Sequence, residues 1–274
     1  MDKFINYSVD EIKKHIITKD NWGSYFVIDN FVKQDIFDKL CKCFNQYKNK
    51  NIFTHTETPT AYNDNKKPGL NPIIGGAGSG VSSFDKLFKL SDDWKQFVKL
   101  MYSEISFKYF HNIFSETDTY KKNVSHQDIK DSIVSCKLSC QFDNYGYFIH
   151  PDASQKVVSY LLYLDNCDWE DDSIGGTDLW EVLDEKVEYD NSINSMDYKM
   201  RDGRNSGKKE SVILTEDEAE RVRKFKAIDF KPNRLVGFVR TDKSYHSIPP
   251  RILPEGITRD CFQINIWNLR SREE

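Results

Sequence analysis

The sequence predicts an α+β protein with a mainly β core, a β-sandwich or jelly roll, with N-terminal helices packed on the sheet. Helical spacing of apolar residues is concentrated in residues 1–132, and short β-prone runs begin at about residue 133. Most neighbouring runs have no helix between them, which indicates a largely antiparallel sheet. Helices first and strands later are typical of the α+β class.

Composition limits the class of protein further. Of the 274 residues, 38% are hydrophobic and 14% aromatic, so the chain can bury a core. We expect a single domain over 1–274, with a helix-rich part at 1–132 and a β core at 133–274. A net charge of -4 gives no reason to expect general nucleic-acid binding, which requires a concentrated basic face.

Segments for export or membrane insertion are not expected. No window approaches the roughly 18 apolar residues of a membrane span, and the first residues lack the apolar centre of a signal peptide. The six cysteines form no Cys-x-x-Cys pair. We therefore expect reduced thiols in a cytoplasmic protein that does not bind membranes.

The N-terminal elements follow from local patterns. Residues 24–28 are β-prone and predict a strand. Apolar spacing predicts a helix over 34–47. A second helix should begin after Ser91, a good N-cap residue. One face of it is marked by Trp94, Phe97, Val98, Met101 and Ile105.

The β core is predicted as seven short strands with one interruption. The predicted strands are 133–142, 157–164, 177–182, 227–230, 234–239, 246–248 and 260–267. Residues 183–226 are polar and charged, which indicates an insertion between two core strands. Within it, residues 215–218 have the pattern of a helix start.

Two histidines and one aspartate are the candidate metal ligands. His150 and Asp152 form a His-x-Asp pair, and in an extended chain residues i and i+2 point to the same face. His246 follows a later apolar run. Two histidines and a carboxylate on one face of an ion leave positions open for reactants, an arrangement typical of non-haem Fe(II) oxygenases.

An arginine near the last strand could serve the same site. Arg259 opens that predicted strand. Its guanidinium can bind a carboxylate through two parallel hydrogen bonds. A second His-x-Asp pair, at His126 and Asp128, lies in a polar stretch without a preceding β run. We interpret four other histidines as structural or exposed: His15, His55, His111 and His126.

Together these segments resemble the 2-oxoglutarate- and Fe(II)-dependent dioxygenases, in particular the prolyl-hydroxylase-like branch. The resemblance is loose over 24–48 and closer over 136–267. It rests on the order and register of several segments. These are Val27-Ile28-Asp29-Asn30-Phe31, Tyr147-Phe148-Ile149-His150-Pro151-Asp152, Tyr160-Leu161-Leu162-Tyr163-Leu164-Asp165, Gly175-Gly176-Thr177-Asp178-Leu179, Arg234-Leu235-Val236-Gly237-Phe238 and Gly256-Ile257-Thr258-Arg259.

The resemblance implies a double-stranded β-helix that uses Fe(II), 2-oxoglutarate and O2. By analogy, His150, Asp152 and His246 bind iron, and Arg259 pairs with the distal carboxylate of 2-oxoglutarate. Tyr147 is expected to bond the same co-substrate, with plain packing as its alternative role. The implied reaction hydroxylates a C–H bond of an unidentified substrate, a protein side chain or a small molecule, with release of succinate and CO2.

Two departures from the family pattern and two rival functions stay open at this point. Cys261 stands where some relatives have a serine, and the insertion at 183–226 is longer than in the simplest members. We expect this insertion and the glycine-rich loop at 75–80 to flank the open side of the metal as a lid. The rivals are a zinc-dependent hydrolase with the same ligands and a jelly-roll binding module without catalysis.

Overall fold

Helices and strands of this computed structural model are described for residues 1–49, 89, 91–124, 132–141, 147–152, 156–164, 176–183, 222–248 and 258–268. The helices are α1 (Val9–Lys13), α2 (Gln34–Asn49), α3 (Asp92–Met101), α4 (Glu104–Phe114) and α5 (Asp118–Asn123). The strands are β1 (Ile17–Lys19), β2 (Gly23–Ile28), β3 (Ser132–Gln141), β4 (Tyr147–His150), β5 (Lys156–Tyr163), β6 (Thr177–Val182), β7 (Val222–Ile228), β8 (Leu235–Val239), β9 (Tyr245–Ile248) and β10 (Arg259–Asn268).

These strands form two sheets whose pairings are all antiparallel. The larger sheet has the order β1-β2-β8-β5-β10-β3, and the smaller sheet has the order β4-β9-β6-β7. From β3 onward the chain alternates between the two sheets, except that β6 and β7 both belong to the smaller one. The mostly antiparallel β core with few helices confirms the predicted α+β class.

The two faces of the larger sheet have different partners because side chains alternate along a strand. On β10 the even-numbered residues, such as Phe262, join the main hydrophobic cluster with the helices. The ring of Trp94 on α3 lies 5.8 Å from that of Phe262. The opposite face packs on the smaller sheet through a second cluster, which includes Tyr163 and Phe238 from one sheet and Leu179 from the other.

Asn233 ties the N-terminal segment to the core. Its side-chain amide donates to the Val32 carbonyl and accepts from the Val32 N–H, both at 2.8 Å. Its backbone N–H donates to the carbonyl of Tyr163, and its own carbonyl accepts from Phe31. The residue has φ 60°, a left-handed conformation that asparagine tolerates better than most residues. One buried side chain therefore fixes the segment after β2 against the ends of β5 and β8.

Most predicted elements are confirmed, and two details were wrong. Seven predicted strands, that at 24–28 and all but one in the core, agree with the observed bounds within one residue. The strand predicted at 227–230 instead begins at Val222. This edge strand exposes charged side chains on its outer face, so its first half resembled a loop. The insertion therefore ends before residue 222.

Ile105 does not lie on the face of α3, contrary to the prediction. The helix ends at Met101, and the hydroxyl of Ser103 accepts from the Ser106 N–H to begin α4. Ile105 falls in the first turn of this new helix and is 62% exposed. The sequence pattern did not predict α1, α4, α5, β1 or β4.

Several predictions lie outside the described residues or are only partly tested. The glycine-rich loop at 75–80, the helix start at 215–218 and most of the insertion are among the undescribed parts of the chain. The single-domain division stays a prediction. Four described cysteines, Cys41, Cys43, Cys136 and Cys261, are buried free thiols. Among the helices described above, none is long and apolar enough to cross a membrane.

Replacing Asn233 with alanine should destabilise the fold. The change leaves the Val32 N–H and carbonyl without their partner in a buried setting, at a cost of about 1–3 kcal/mol for each group. Urea unfolding should show this loss in the free energy of unfolding. Asn233→Gly, which relieves the left-handed backbone but lacks the amide, should be nearly as unstable. Wild-type stability in both variants would contradict the role of these bonds.

Candidate metal centre

The two predicted histidine ligands face each other across neighbouring strands. His150 is the last residue of β4, and its Cα partner on β9 is His246. Side chains of directly opposed residues in an antiparallel pair lie on the same face. The two imidazole rings are accordingly 4.4 Å apart between centroids. The ring of Phe238, from the larger sheet, lies 4.7 Å from that of His246 and covers one side of it.

Asp152 is held against the larger sheet by three side chains. One carboxylate oxygen accepts from the Lys156 ammonium at 2.6 Å, and the other accepts from the Ser159 hydroxyl at 2.5 Å. Its backbone carbonyl accepts from Nε of Arg240 at 3.2 Å. The residue therefore leaves β4 after Pro151 and has its carboxylate anchored on β5.

These residues form a cluster of the size that one cation requires. One ligand atom from each of His150, Asp152 and His246 can be chosen so that all three lie within 4.8 Å of one another. Nε2 of His246 lies 4.0 Å from the nearer oxygen of Asp152. Small side-chain movements would let one ion contact all three, and the donor set of two imidazoles and a carboxylate suits iron or zinc.

The protonation states also suit a metal. Burial would by itself raise the pKa of Asp152, but Lys156 and the two histidines hold that pKa well below its usual range. Burial lowers the pKa of His246, against the opposing effect of Asp152. A neutral imidazole with Nδ1 donating to the Ser244 carbonyl, 3.1 Å away, leaves the lone pair of Nε2 toward the cluster.

Arg259 is the first residue of β10, and its side chain is on the face of the larger sheet that packs against the smaller sheet. Its side chain is 1% exposed, and its guanidinium carbon lies 5.2 Å from the ring centroid of Tyr163 and 5.9 Å from that of Phe230. These rings give the cation apolar walls that keep water away. A carboxylate that reached this guanidinium would gain a strong, weakly screened interaction.

Tyr163 contacts both Arg259 and Thr177, and sequence reasoning missed the roles of Tyr163 and Thr177. The Tyr163 hydroxyl and Oγ1 of Thr177 are 2.7 Å apart. Gly176 lets β6 begin close to β7, since a Cβ there would lie 1.7 Å from the Ile228 carbonyl oxygen. The available signal was alternation along β5, because Ser159, Leu161 and Tyr163 share one face.

Partly exposed side chains lie between the levels of the metal cluster and Arg259 along the strands of the larger sheet. Leu161, Gln263 and Lys137 are opposed on β5, β10 and the edge strand β3, and they point toward the smaller sheet. All three are partly exposed, whereas their neighbours along each strand are buried. Solvent therefore reaches the space between the two sheets above these three residues. We call this space the cavity and the three residues the floor row.

Two other predicted details have less support. Tyr147 lies on β4 opposite Ile248, but its side chain is outside the described residues, so its proposed role stays a prediction. Cys261 is fully buried beside Arg259, and its backbone carbonyl accepts from the Ser139 hydroxyl at 3.2 Å. Burial raises the pKa of its thiol to about 11, so it is a neutral group next to the guanidinium.

Comparison with known proteins finds only distant likenesses. No protein-family model matches the sequence. No curated protein is similar to it in sequence. Solved structures of similar shape include a prolyl hydroxylase from Trichoplax adhaerens in complex with a hypoxia inducible factor oxygen degradation domain peptide fragment. It is 14% identical, with a TM-score of 0.49, over 97% of this chain and 93% of that one.

Two further structures are similar at the same level. A Pseudomonas putida prolyl-4-hydroxylase is 11% identical, with a TM-score of 0.41, over 95% of this chain and 90% of that one. AviO1 from Streptomyces viridochromogenes is 9% identical, with a TM-score of 0.49, over 97% of each chain. At this distance, the case for the metal centre depends on the chain's own residues.

Metal binding should require the clustered histidines and no other. We expect one Fe(II) per chain in the wild type, because the cluster offers one set of convergent ligands. His150→Ala or His246→Ala should abolish it, and His126→Ala should leave it intact. Metal analysis of the three purified variants, loaded anaerobically, measures this. Loss of metal from the His126 variant would move the site to the second His-x-Asp pair.

Ser159 should tune the affinity of this site without being a ligand. Ser159→Ala removes the hydroxyl that fixes one oxygen of Asp152, and loss of such an outer partner typically costs about 10–100-fold in metal affinity. Competition with a fluorescent chelator would measure the change. The matched control is Ser139→Ala, which removes a buried hydroxyl from the same sheet without touching Asp152. Equal losses in both variants would contradict the assignment.

Proposed function

We propose that the protein is a non-haem Fe(II)- and 2-oxoglutarate-dependent dioxygenase that hydroxylates a C–H bond of its substrate, with release of succinate and CO2. The observation that carries this proposal is one arrangement of side chains between the two sheets. A His-Asp-His cluster and a buried arginine lie at opposite ends of a cavity between two sheets. A dicarboxylate that spans the cavity could contact the metal at one end and Arg259 at the other.

The order of strands supports a double-stranded β-helix as the scaffold. From β3 to β10 the strands belong in turn to the larger, smaller, larger, smaller, smaller, larger, smaller and larger sheet. This order is the same whether it is followed from β3 or from β10. That order is expected when two folded-over β-hairpins wind together into a jelly roll. In such a scaffold the inner faces of both sheets are available for a site, while the outer face of the larger sheet packs on the helices.

The cofactors and the protein's side chains would have different tasks in this reaction. Fe(II) with 2-oxoglutarate and O2, when bound, supplies the oxidising power for hydroxylation. His246 offers a neutral imidazole whose orientation is fixed by the Ser244 carbonyl. Asp152 remains an ionised ligand because Lys156 and Ser159 bond its two oxygens.

The co-substrate would bind at the end of the cavity where Arg259 lies. The guanidinium would form the paired hydrogen bonds that a terminal carboxylate accepts. The Tyr163 hydroxyl lies beside it, fixed by Thr177, and can donate to the same carboxylate. Apolar side chains between the two ends, including Leu161 and Val236, limit water near the reacting centre.

The two rival functions do not explain why a buried arginine lies at the other end of the cavity. A zinc hydrolase needs a general base near its open position and does not need Arg259. A binding module without catalysis does not need three convergent ligands whose protonation states suit a metal. The buried arginine at a distance from the cluster therefore favours the oxygenase. We propose a protein side chain or a small molecule as the primary substrate.

Truncating Arg259 should weaken co-substrate binding selectively. Arg259→Ala should reduce 2-oxoglutarate affinity by about 2–5 kcal/mol, the usual cost of losing one partner of a buried charge pair. Fe(II) should stay bound because its ligands are untouched. Lysine at position 259 should recover only part of the loss, since it lacks the two-pronged fork. The measurement is a titration of 2-oxoglutarate into the anaerobic Fe(II) protein.

A matched variant controls for nonspecific charge effects. Arg223 lies on the exposed face of β7 and pairs with Glu181, so Arg223→Ala removes the same charge far from the cavity. Its 2-oxoglutarate affinity should equal that of the wild type. Equal affinity in the Arg259 and Arg223 variants would remove Arg259 from the site and with it the main support for this co-substrate.

A further inference from the structure

Four strands of the larger sheet present basic but no acidic side chains toward the smaller sheet. Side chains of β3, β5, β8 and β10 that point toward the smaller sheet include two basic residues, Arg259 and Lys137. The inward-facing positions of these four strands contain no aspartate or glutamate. Asp152 enters from the segment after β4, and its carboxylate is already engaged by Lys156 and Ser159.

Lys137 occupies the β3 end of the floor row. It is opposed by Gln263 on β10, and both side chains are partly exposed to the cavity. Within the part of the chain that the structure describes, neither side chain forms a hydrogen bond or an ion pair. Lys137 faces inward from the edge strand β3 and has no acidic partner among the described residues. Burying a lysine side chain without such a partner is costly for the fold.

The electrostatic state of Lys137 agrees with this geometry. Burial and the nearby Lys156 ammonium together lower its pKa to about 8, against the opposing effect of Cys261. At neutral pH the side chain is still mostly protonated. Burial and the neighbouring ammonium both disfavour this positive charge. An anion that enters the cavity would therefore stabilise it.

We propose that Lys137 and Gln263 form a second anion-binding position, separate from Arg259, which binds an oxyanion group of the primary substrate. The ammonium provides the charge, and the Gln263 amide provides a neutral donor beside it. Carboxylate, phosphate and sulfate groups share this chemistry. The identification with the primary substrate rests on the proposed function, whereas anion binding at Lys137 does not.

The preferred substrates are then molecules that present an anionic group within the cavity. A phosphorylated or carboxylated small molecule meets this requirement, and so does an acidic side chain of a protein. The same position could instead belong to the second carboxylate of 2-oxoglutarate. Titrations with two separate ligands distinguish these sources.

The test is calorimetric titration of sulfate into the full-length protein at pH 7, with ionic strength held constant by chloride. Lys137→Met keeps the length of the side chain and removes its charge, and should weaken sulfate binding at least fivefold. Lys137→Arg should retain affinity within twofold. Lys122→Met, an exposed lysine on α5, is the matched control and should equal the wild type. Circular dichroism of each variant confirms that it is folded.

The second arm titrates 2-oxoglutarate into the anaerobic Fe(II) forms. Unchanged affinity in Lys137→Met, with weakened sulfate binding, supports a position for the primary substrate. A fivefold or greater loss would assign Lys137 to the co-substrate and overturn that part of the proposal. Unchanged sulfate binding in Lys137→Met would overturn the anion-binding position. If wild-type protein binds sulfate through Lys137 but does not bind 2-oxoglutarate, the proposed oxygenase function fails and the anion-binding position stands.

Discussion

The pairing of β4 with β9 is the interaction on which the candidate site depends. It places His150 opposite His246, and it leaves Asp152 just past the strand end, where β5 of the other sheet can hold it. The cluster therefore takes its imidazoles from the smaller sheet and anchors its carboxylate on the larger one. Any change in the separation of the two sheets would change the distances between the ligands.

Because side chains alternate along each strand, one face of the larger sheet packs in the hydrophobic core and the other faces the candidate site. On β10, Phe262 and Ile264 join the helices in the main core, while Arg259, Cys261 and Gln263 point toward the cavity. The apolar face can supply the free energy of burial without constraint from the reaction. The opposite face can then carry polar and charged groups that a core would exclude. This division explains how Lys137, which has no acidic partner among the described residues, can persist on the inner face of β3.

The sequence predicted those features that local spacing determines. The His150-x-Asp152 pair, the later His246 and the strand-opening Arg259 depend on residue type and period, and the structure places them between the two sheets. Tyr163, Ser159 and Lys137 were missed because their roles depend on which strands are neighbours and in what register, which no local pattern reveals. Strand β7 was partly missed because an exposed edge strand carries the charges of a loop.

The position of strand β4 gives the metal cluster a further consequence for the topology of the chain. It is four residues long, lies at the edge of its sheet and shifts register within its pairing to β9. The two histidines are about a hundred residues apart along the chain, so an ion shared between them would close a long loop, much as a crosslink does. Such closure acts mainly by reducing the freedom of the unfolded chain. Availability of the ion would thus set how long β4 stays docked, and an edge strand that detaches leaves backbone groups open to proteolysis and to pairing with other chains.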